Sequence, residues 1–494
     1  MTAGVDVIVV GAGSAGSVLT RRFVDAGRTV QLLEAGGPDG SEAIHDPARM
    51  LELWHGPHDW DYRTVPQPAA AGRQLHLPRG KVFGGSHALN AMIWVRGAPA
   101  DFRHWAALTD QRWSWERVRE LYRGIEGGML DVVPNVPLHP VQEAIIEAAV
   151  GCGHPYNPDY NGESLDGVSV QQVTIREGRR LTSWQAYAEP VLDRPGLTAY
   201  SDARVHRLRH NGNRITGVDY ERAGRMVTAE ADLVVLAAGA LDSPRILQRS
   251  GIGPGRWLRS LGIEVLADLP GVGENLHDHL LCPVLFGAEG RPVEPPRQGR
   301  SITQTHLFAK TRADLDAPDM QPIHFSVPMY LPGMTGPEHG FSLMAGLIAP
   351  RSRGSVRIAG PEPDAEPLID LGALAEPEDL EVLATSVRQC REIGAAMAAE
   401  WGARELYPGP AISGTAAVRE YVRSTAVTYH HQVGTCAMGR DAMSVVGPDL
   451  RVHGVDGLAV ADASVMPRVP SGNTNAPAVL IGEQAGAFLT AGHD

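Results

Sequence analysis

Residues 5–34 run through an apolar strand, a glycine-rich turn, a helix, a second strand and an acid without a gap. Five of residues 5–10 (VDVIVV) are aliphatic, all of them β-branched, the pattern of a strand buried on both faces. The turn Gly11-Ala12-Gly13-Ser14-Ala15-Gly16 leads into a helix expected over residues 17–26 and closed by Gly27. The second strand, residues 29–33, ends on Glu34 and Ala35. In a βαβ unit of this kind the first glycine makes a tight turn, the second lets a pyrophosphate approach the backbone, and the third lets helix and strand pack closely. Amides at the helix start face phosphate, and Glu34, 23 residues beyond Gly11, is placed to accept hydrogen bonds from a ribose. The arrangement predicts a Rossmann-like dinucleotide domain, shared by nicotinamide and flavin enzymes.

Two later segments extend that domain. Residues 233–239 (LVVLAAG) and 458–462 (LAVAD) read as further buried strands, so the nucleotide fold is expected to be assembled from separated stretches, which suits an extended FAD. Between them, residues 300–360 alternate like half-buried antiparallel strands, with Ile323, Phe325, Val327 and Met329 on one face and His324, Ser326 and Pro328 on the other. Residues 354–358 (GSVRI) suggest one more strand. A helix is expected over residues 377–400, where Leu380, Leu383, Val387 and Cys390 repeat at helical spacing and place Cys390 in a core. A last helix over residues 476–490 returns to the first domain. The expected class is α/β, with an FAD-binding domain from residues 1–155, 195–278 and 450–494 and an α+β substrate domain with an antiparallel sheet from 156–194 and 279–449.

The 494 residues carry a net charge of −13, an unfavourable balance for nucleic acid as a partner. No apolar run reaches the ~18 residues of a membrane span. Cys152, Cys282, Cys390 and Cys436 are too scattered for a zinc or disulfide frame, and the N-terminal residues lead directly into the first strand, so a reducing, cytoplasmic setting is expected.

Residues 78–97 (PRGKVFGGSHALNAMIWVRG), 239–253 (GALDSPRILQRSGIG), 429–439 (YHHQVGTCAMG), 460–467 (VADASVMP) and 471–477 (SGNTNAP) closely resemble, in order, the signatures of the glucose-methanol-choline oxidoreductases. The resemblance spans almost the whole chain and implies FAD-dependent alcohol oxidation. It implies His431, not His430, as the catalytic histidine and Asn473 as its partner. The FAD contacts it implies are Gly11, Gly13, Ser14, Ala15, Gly16, Glu34, Ala35, Val82, Gly85, Asn90, Ala91, Met92, Ile93, Val205, Ala238, Asp462, Ala463 and Asn475. Members with a flavin-linked histidine carry it just before the loop asparagine. That position here is Leu89, and His87 lies two residues earlier, so noncovalent FAD is expected.

Alcohol oxidation removes a hydroxyl proton and a hydride from one carbinol group. Imidazole, with an ordinary pKa of about 6.5, is the natural base, and an amide fixes the substrate oxygen without competing for the proton. A small primary or secondary alcohol is the expected substrate: aryl or furanic, aliphatic, choline-like, pyridoxine-like or sugar. The acceptor is O2, giving H2O2, or another oxidant. The alternative is a hydroxynitrile lyase on the same scaffold. No metal is expected: His277-Asp278-His279 lacks a clear partner set and reads as the turn leaving the nucleotide domain. Trp54, Trp60, Phe325, Met329 and Trp401 are candidates for the pocket wall, against the plainer reading as core.

Overall fold

The computed structural model describes residues 4–491. The strand Val5–Val10 takes the centre of a parallel sheet, flanked by Val30–Leu33 and by the second half of Arg225–Leu236. Leu197–Tyr200 adds one edge beside Val30–Leu33, and Leu458–Val460 the other beside residues 234–236. The long strand Arg225–Leu236 leaves this sheet at its first half and joins an antiparallel meander with Arg214–Arg222 and Ala203–Asn211. The nucleotide fold is thus assembled from the N-terminal, middle and C-terminal thirds. The helix Ser14–Asp25 packs along Asn475–Thr490, with Arg22 and Glu483 paired at 2.6 Å across the contact.

A second sheet is antiparallel, ordered Ala403–Tyr407, Leu280–Ala288, Gly340–Leu347, Ile323–Phe325, Thr303–Phe308, Gly167–Val170, with Val427–Thr428 also on Leu280–Ala288. The helix Pro377–Ala396 covers it through Leu380, Leu383, Val387 and Cys390, all buried.

Three expectations change. The sheet is not half-buried: Leu280–Ala288, Thr303–Phe308, Ile323–Phe325 and Gly340–Leu347 are buried throughout, because one face lies under that helix. The 323–329 alternation yields a strand of only Ile323–Phe325, and Val327 and Met329 continue beyond it as half-buried chain. Ser355–Arg357 pairs with Leu368–Asp370 as a separate ribbon instead of joining the main sheet. The helix Pro140–Gly151 places Val141, Ala144, Ile145 and Ala149 in the core shared with the antiparallel sheet.

Candidate active site

One cavity of about 610 Å³ runs between the two sheets, from the glycine-rich turn to His431 and Asn473. Its nucleotide end is shaped by missing side chains. Gly11 sits at φ +102°, and a Cβ there would stand 2.5 Å from Ala237 O. At Gly16 a Cβ would stand 1.9 Å from Gly11 O, so this residue closes helix onto strand. Gly13 is different: a Cβ there would meet nothing nearer than Gly85 Cα at 3.8 Å, leaving an open cradle of backbone. The cradle lies where the helices Ser14–Asp25 and Asn475–Thr490 both begin, tied by Ser14 Oγ donating to Asn475 Oδ1 at 2.7 Å. Two helix starts aimed at one open space suit an anionic group.

Glu34 accepts the amide N–H groups of Ala12 (2.8 Å) and Gly36 (2.9 Å), and burial pushes its carboxyl up to about 7. It lines the cavity with Ala35, Val205 and Ala238. These features fit FAD: an amide-lined gap for a pyrophosphate and a fixed carboxyl for a ribose.

Gly85, Leu89, Asn90, Ala91 and Ile93 form the middle of the wall. Asn90 Oδ1 accepts from Met92 N (2.8 Å) and from the buried Arg180 guanidinium (3.0 Å), which leaves the amide nitrogen unspent on these partners. His87 does not line the cavity. It is fully buried beside Ser183 Oγ (3.1 Å) and Thr174 Oγ1 (2.9 Å), and burial lowers its imidazole to about 3.

At the far end His431 Nε2 and Asn473 Nδ2 lie 3.2 Å apart. Gln321 Nε2 donates to Asn473 Oδ1 at 3.0 Å, so the Asn473 amide is turned with its N–H toward His431. His431 Nε2 is then the lone-pair nitrogen, the ring proton sits on Nδ1, and Nδ1 donates to His279 Nδ1 at 3.0 Å. Burial, followed by the charges of His279, His430 and Arg79, holds His431 well below its ordinary range, so the ring is neutral at neutral pH. Asp278 accepts the His431 amide N–H at 2.7 Å and the Gln432 side-chain amide, and burial raises its carboxyl to about 7.

Most of the sequence-predicted residues meet in this one cavity. Gly16, Val82 and Met92 do not reach it: Gly16 faces Gly11, while Val82 and Met92 are fully buried behind the loop wall. Asp462 lines the cavity, but its oxygens are taken by Gly239 N (2.8 Å), Ser243 Oγ (2.5 Å) and Ser464 N (2.7 Å), so its side chain fixes the turn carrying Ala463. Trp54, Trp60, Phe325 and Met329 line the cavity, whereas Trp401 lies in the core under the helix Pro377–Ala396.

Sequence reasoning missed His279, Asp278 and Gln321. The triplet 277–279 is more than an exit turn: an antiparallel bridge between His277 and Val433 sets it beside His431. The only available signal was two histidines around an acid; their partner lies 152 residues away.

Known proteins resemble this chain over nearly its whole length. Models of the GMC oxidoreductase family match residues 5–281 and 350–482. An alcohol dehydrogenase [acceptor] of Pseudomonas putida is 33% identical over 98% of this chain and 95% of its own length. An oxygen-dependent choline dehydrogenase of Paraburkholderia phymatum is 36% identical over 97% of this chain and 91% of its own. The crystal structure of pyridoxine 4-oxidase from Mesorbium loti superposes with a TM-score of 0.93 at 34% identity, covering 99% of this chain and 100% of that one.

Proposed function

The chain belongs to the GMC oxidoreductase family, and from that premise we propose that it oxidises a small, uncharged primary or secondary alcohol to the aldehyde or ketone with noncovalently held FAD. The observation that carries this reading is the 3.2 Å pairing of His431 Nε2 with Asn473 Nδ2 on the wall of the cavity that Gly13 and Glu34 also line.

Bound FAD would supply the acceptor for the carbinol hydride and the two-electron link to O2, giving H2O2, or to another oxidant. The chain supplies the rest. His431, neutral because it is buried, takes the hydroxyl proton at Nε2, and the positive charge that develops is shared through Nδ1 with His279. Asn473 donates to the substrate oxygen and holds the carbinol carbon in place, its own carbonyl anchored by Gln321. Gly13, Ser14, Ala15 and Asn475 would hold the pyrophosphate and Glu34 the ribose. Leu89, which lines the cavity at the position of a linking histidine, offers no nucleophile, and His87 is turned into the protein. This supports noncovalent binding.

Substrate class follows from charge. Met50, Leu281, Ile323, Phe325, Met329 and Met344 line the cavity as an apolar wall. Among the described residues, the carboxylates lining it are Glu34, Asp242 and Asp462. Asp242 is already engaged by Tyr62 Oη (2.9 Å) and Arg245 (2.6 Å), and the other two by amides and hydroxyls, so none is free to face a cationic substrate. The apolar wall supports an uncharged aryl or aliphatic alcohol.

The test is anaerobic. An aryl or aliphatic alcohol should bleach the flavin band of the holoenzyme, and acid precipitation should release the chromophore into solution. Hydroxynitrile cleavage without bleaching by any alcohol would instead establish a lyase.

A further inference from the structure

A second cluster of ligating side chains stands at the rim of the cavity. His55 and His76 both line it, and the His55 side chain is 53% exposed, so the pair marks where the cavity meets solvent. The two imidazoles stack with centroids 3.9 Å apart and planes at 25°. Their nitrogens converge on one carboxylate oxygen: His55 Nδ1 is 2.6 Å and His76 Nε2 is 2.9 Å from Asp61 Oδ1. The loop that presents them is pinned by Asp59, whose carboxylate accepts the amide N–H groups of His55 (3.0 Å), Asp61 (3.0 Å) and Arg79 (2.8 Å).

Hydrogen bonding ties His55 Nδ1 to Asp61 Oδ1 at 2.6 Å but leaves His76 out. His76 Nε2 is shielded from solvent and makes no hydrogen bond, although it lies 2.9 Å from Asp61 Oδ1 and 3.3 Å from Asp59 Oδ2. A buried nitrogen close to two carboxylates but aligned with neither is the disposition of a metal ligand. Two imidazoles and a carboxylate suit a borderline-soft ion of the Zn²⁺ class over Mg²⁺ or Ca²⁺. Bonds of about 2.0–2.2 Å to such an ion set ligand atoms roughly 3 Å apart. The three atoms here already fall within 4.8 Å of one another. Two carboxylates, Asp59 and Asp61, stand within 3.3 Å of His76 Nε2.

We propose that His55 Nδ1, His76 Nε2 and the Asp61 carboxylate bind one divalent transition-metal ion of the Zn²⁺ class at the cavity rim, and that the loaded site narrows the entry to the catalytic pair. Trp54 carries the link: its ring packs on His76 (6.4 Å) and on His430 (5.1 Å), the neighbour of His431.

The test is calorimetric titration of chelator-stripped holoenzyme with ZnCl2, and with CoCl2 followed by its d–d absorbance. One Zn²⁺ per chain should bind, with His55→Ala, His76→Gln and Asp61→Asn each weakening it by at least about tenfold while the flavin spectrum is retained. Zn²⁺ should raise KM for the alcohol in the unmodified protein and leave KM unmoved in His55→Ala. Absence of saturable binding below about 1 mM overturns the site, as does equal affinity in His55→Ala and His76→Gln, which would put the metal elsewhere. Binding that leaves KM unchanged at saturation overturns the narrowing of entry. The calorimetric arm is independent of alcohol turnover, so its failure is distinct from failure of the functional reading.

Discussion

The proposed role of His431 as the base rests on its neighbours. Gln321 turns the Asn473 amide, Asn473 leaves Nε2 as the acceptor, and His279 takes the proton on Nδ1. Removing one link leaves a buried polar group unpaired, which costs about 1–3 kcal/mol. Asn473→Ala should therefore lower kcat/KM by roughly tenfold to a hundredfold with FAD still bound, measured by steady-state kinetics; an unchanged kcat/KM would remove Asn473 from substrate positioning. His279→Asn should move the pH profile of kcat/KM, because the tautomer of His431 is no longer specified, and an identical profile would contradict the chain of hydrogen bonds. His431 and Asn473 could be singled out from sequence as candidates because each sits in a local motif. His279 and Gln321 could not, since their meaning arises only when segments about 150 residues apart pair.

At the level of elements, the strand-turn-helix start was legible in nearly full detail, because its constraints are local backbone ones. The two internal glycines of that turn do different work, and substitution separates them. Gly16→Ala places a Cβ against Gly11 O and should destabilise the fold, lowering Tm of the apoprotein. Gly13→Ala meets nothing in the protein closer than 3.8 Å, so apoprotein Tm should hold while flavin content at purification falls. Equal flavin content in Gly13→Ala and the native protein would contradict the cradle. The antiparallel sheet was misjudged as half-buried because period-two alternation reports strand, not what covers the outer face. That cover, the helix Pro377–Ala396, lies some 50 residues downstream of Ile323–Phe325.

Across the whole molecule, burial of histidine sets the response to acid. His87, His279, His306, His324 and His430 are each lowered to about 3, and His277 and His431 well below their ordinary range, chiefly by burial. Below the ordinary value of 6.5 the unfolded chain protonates these rings while the folded chain does not, so stability is lost as pH falls from about 6.5 toward 3. Glu34 and Asp278, raised to about 7, and Asp101 and Asp462, also raised, act oppositely: the folded state takes their protons first, and acidification through that range favours folding. With His104, His139, His154 and His206 also lowered and Asp39 and Glu189 also raised, the imidazoles still outnumber the carboxyls, so Tm should fall by several degrees between pH 7 and pH 5; a level or rising Tm would contradict the burial of these rings. The discontinuous nucleotide fold was legible from three short apolar runs, while the union of both sheets around one cavity emerges only in three dimensions. The most direct test of that cavity as a site of alcohol oxidation is a stopped-flow, anaerobic comparison of native protein and His431→Ala, each loaded with FAD and mixed with an aryl alcohol. Native protein should bleach the flavin in a single rapid phase and His431→Ala at least about a hundredfold more slowly with the same flavin content, whereas equal bleaching rates would show that His431 is not the base.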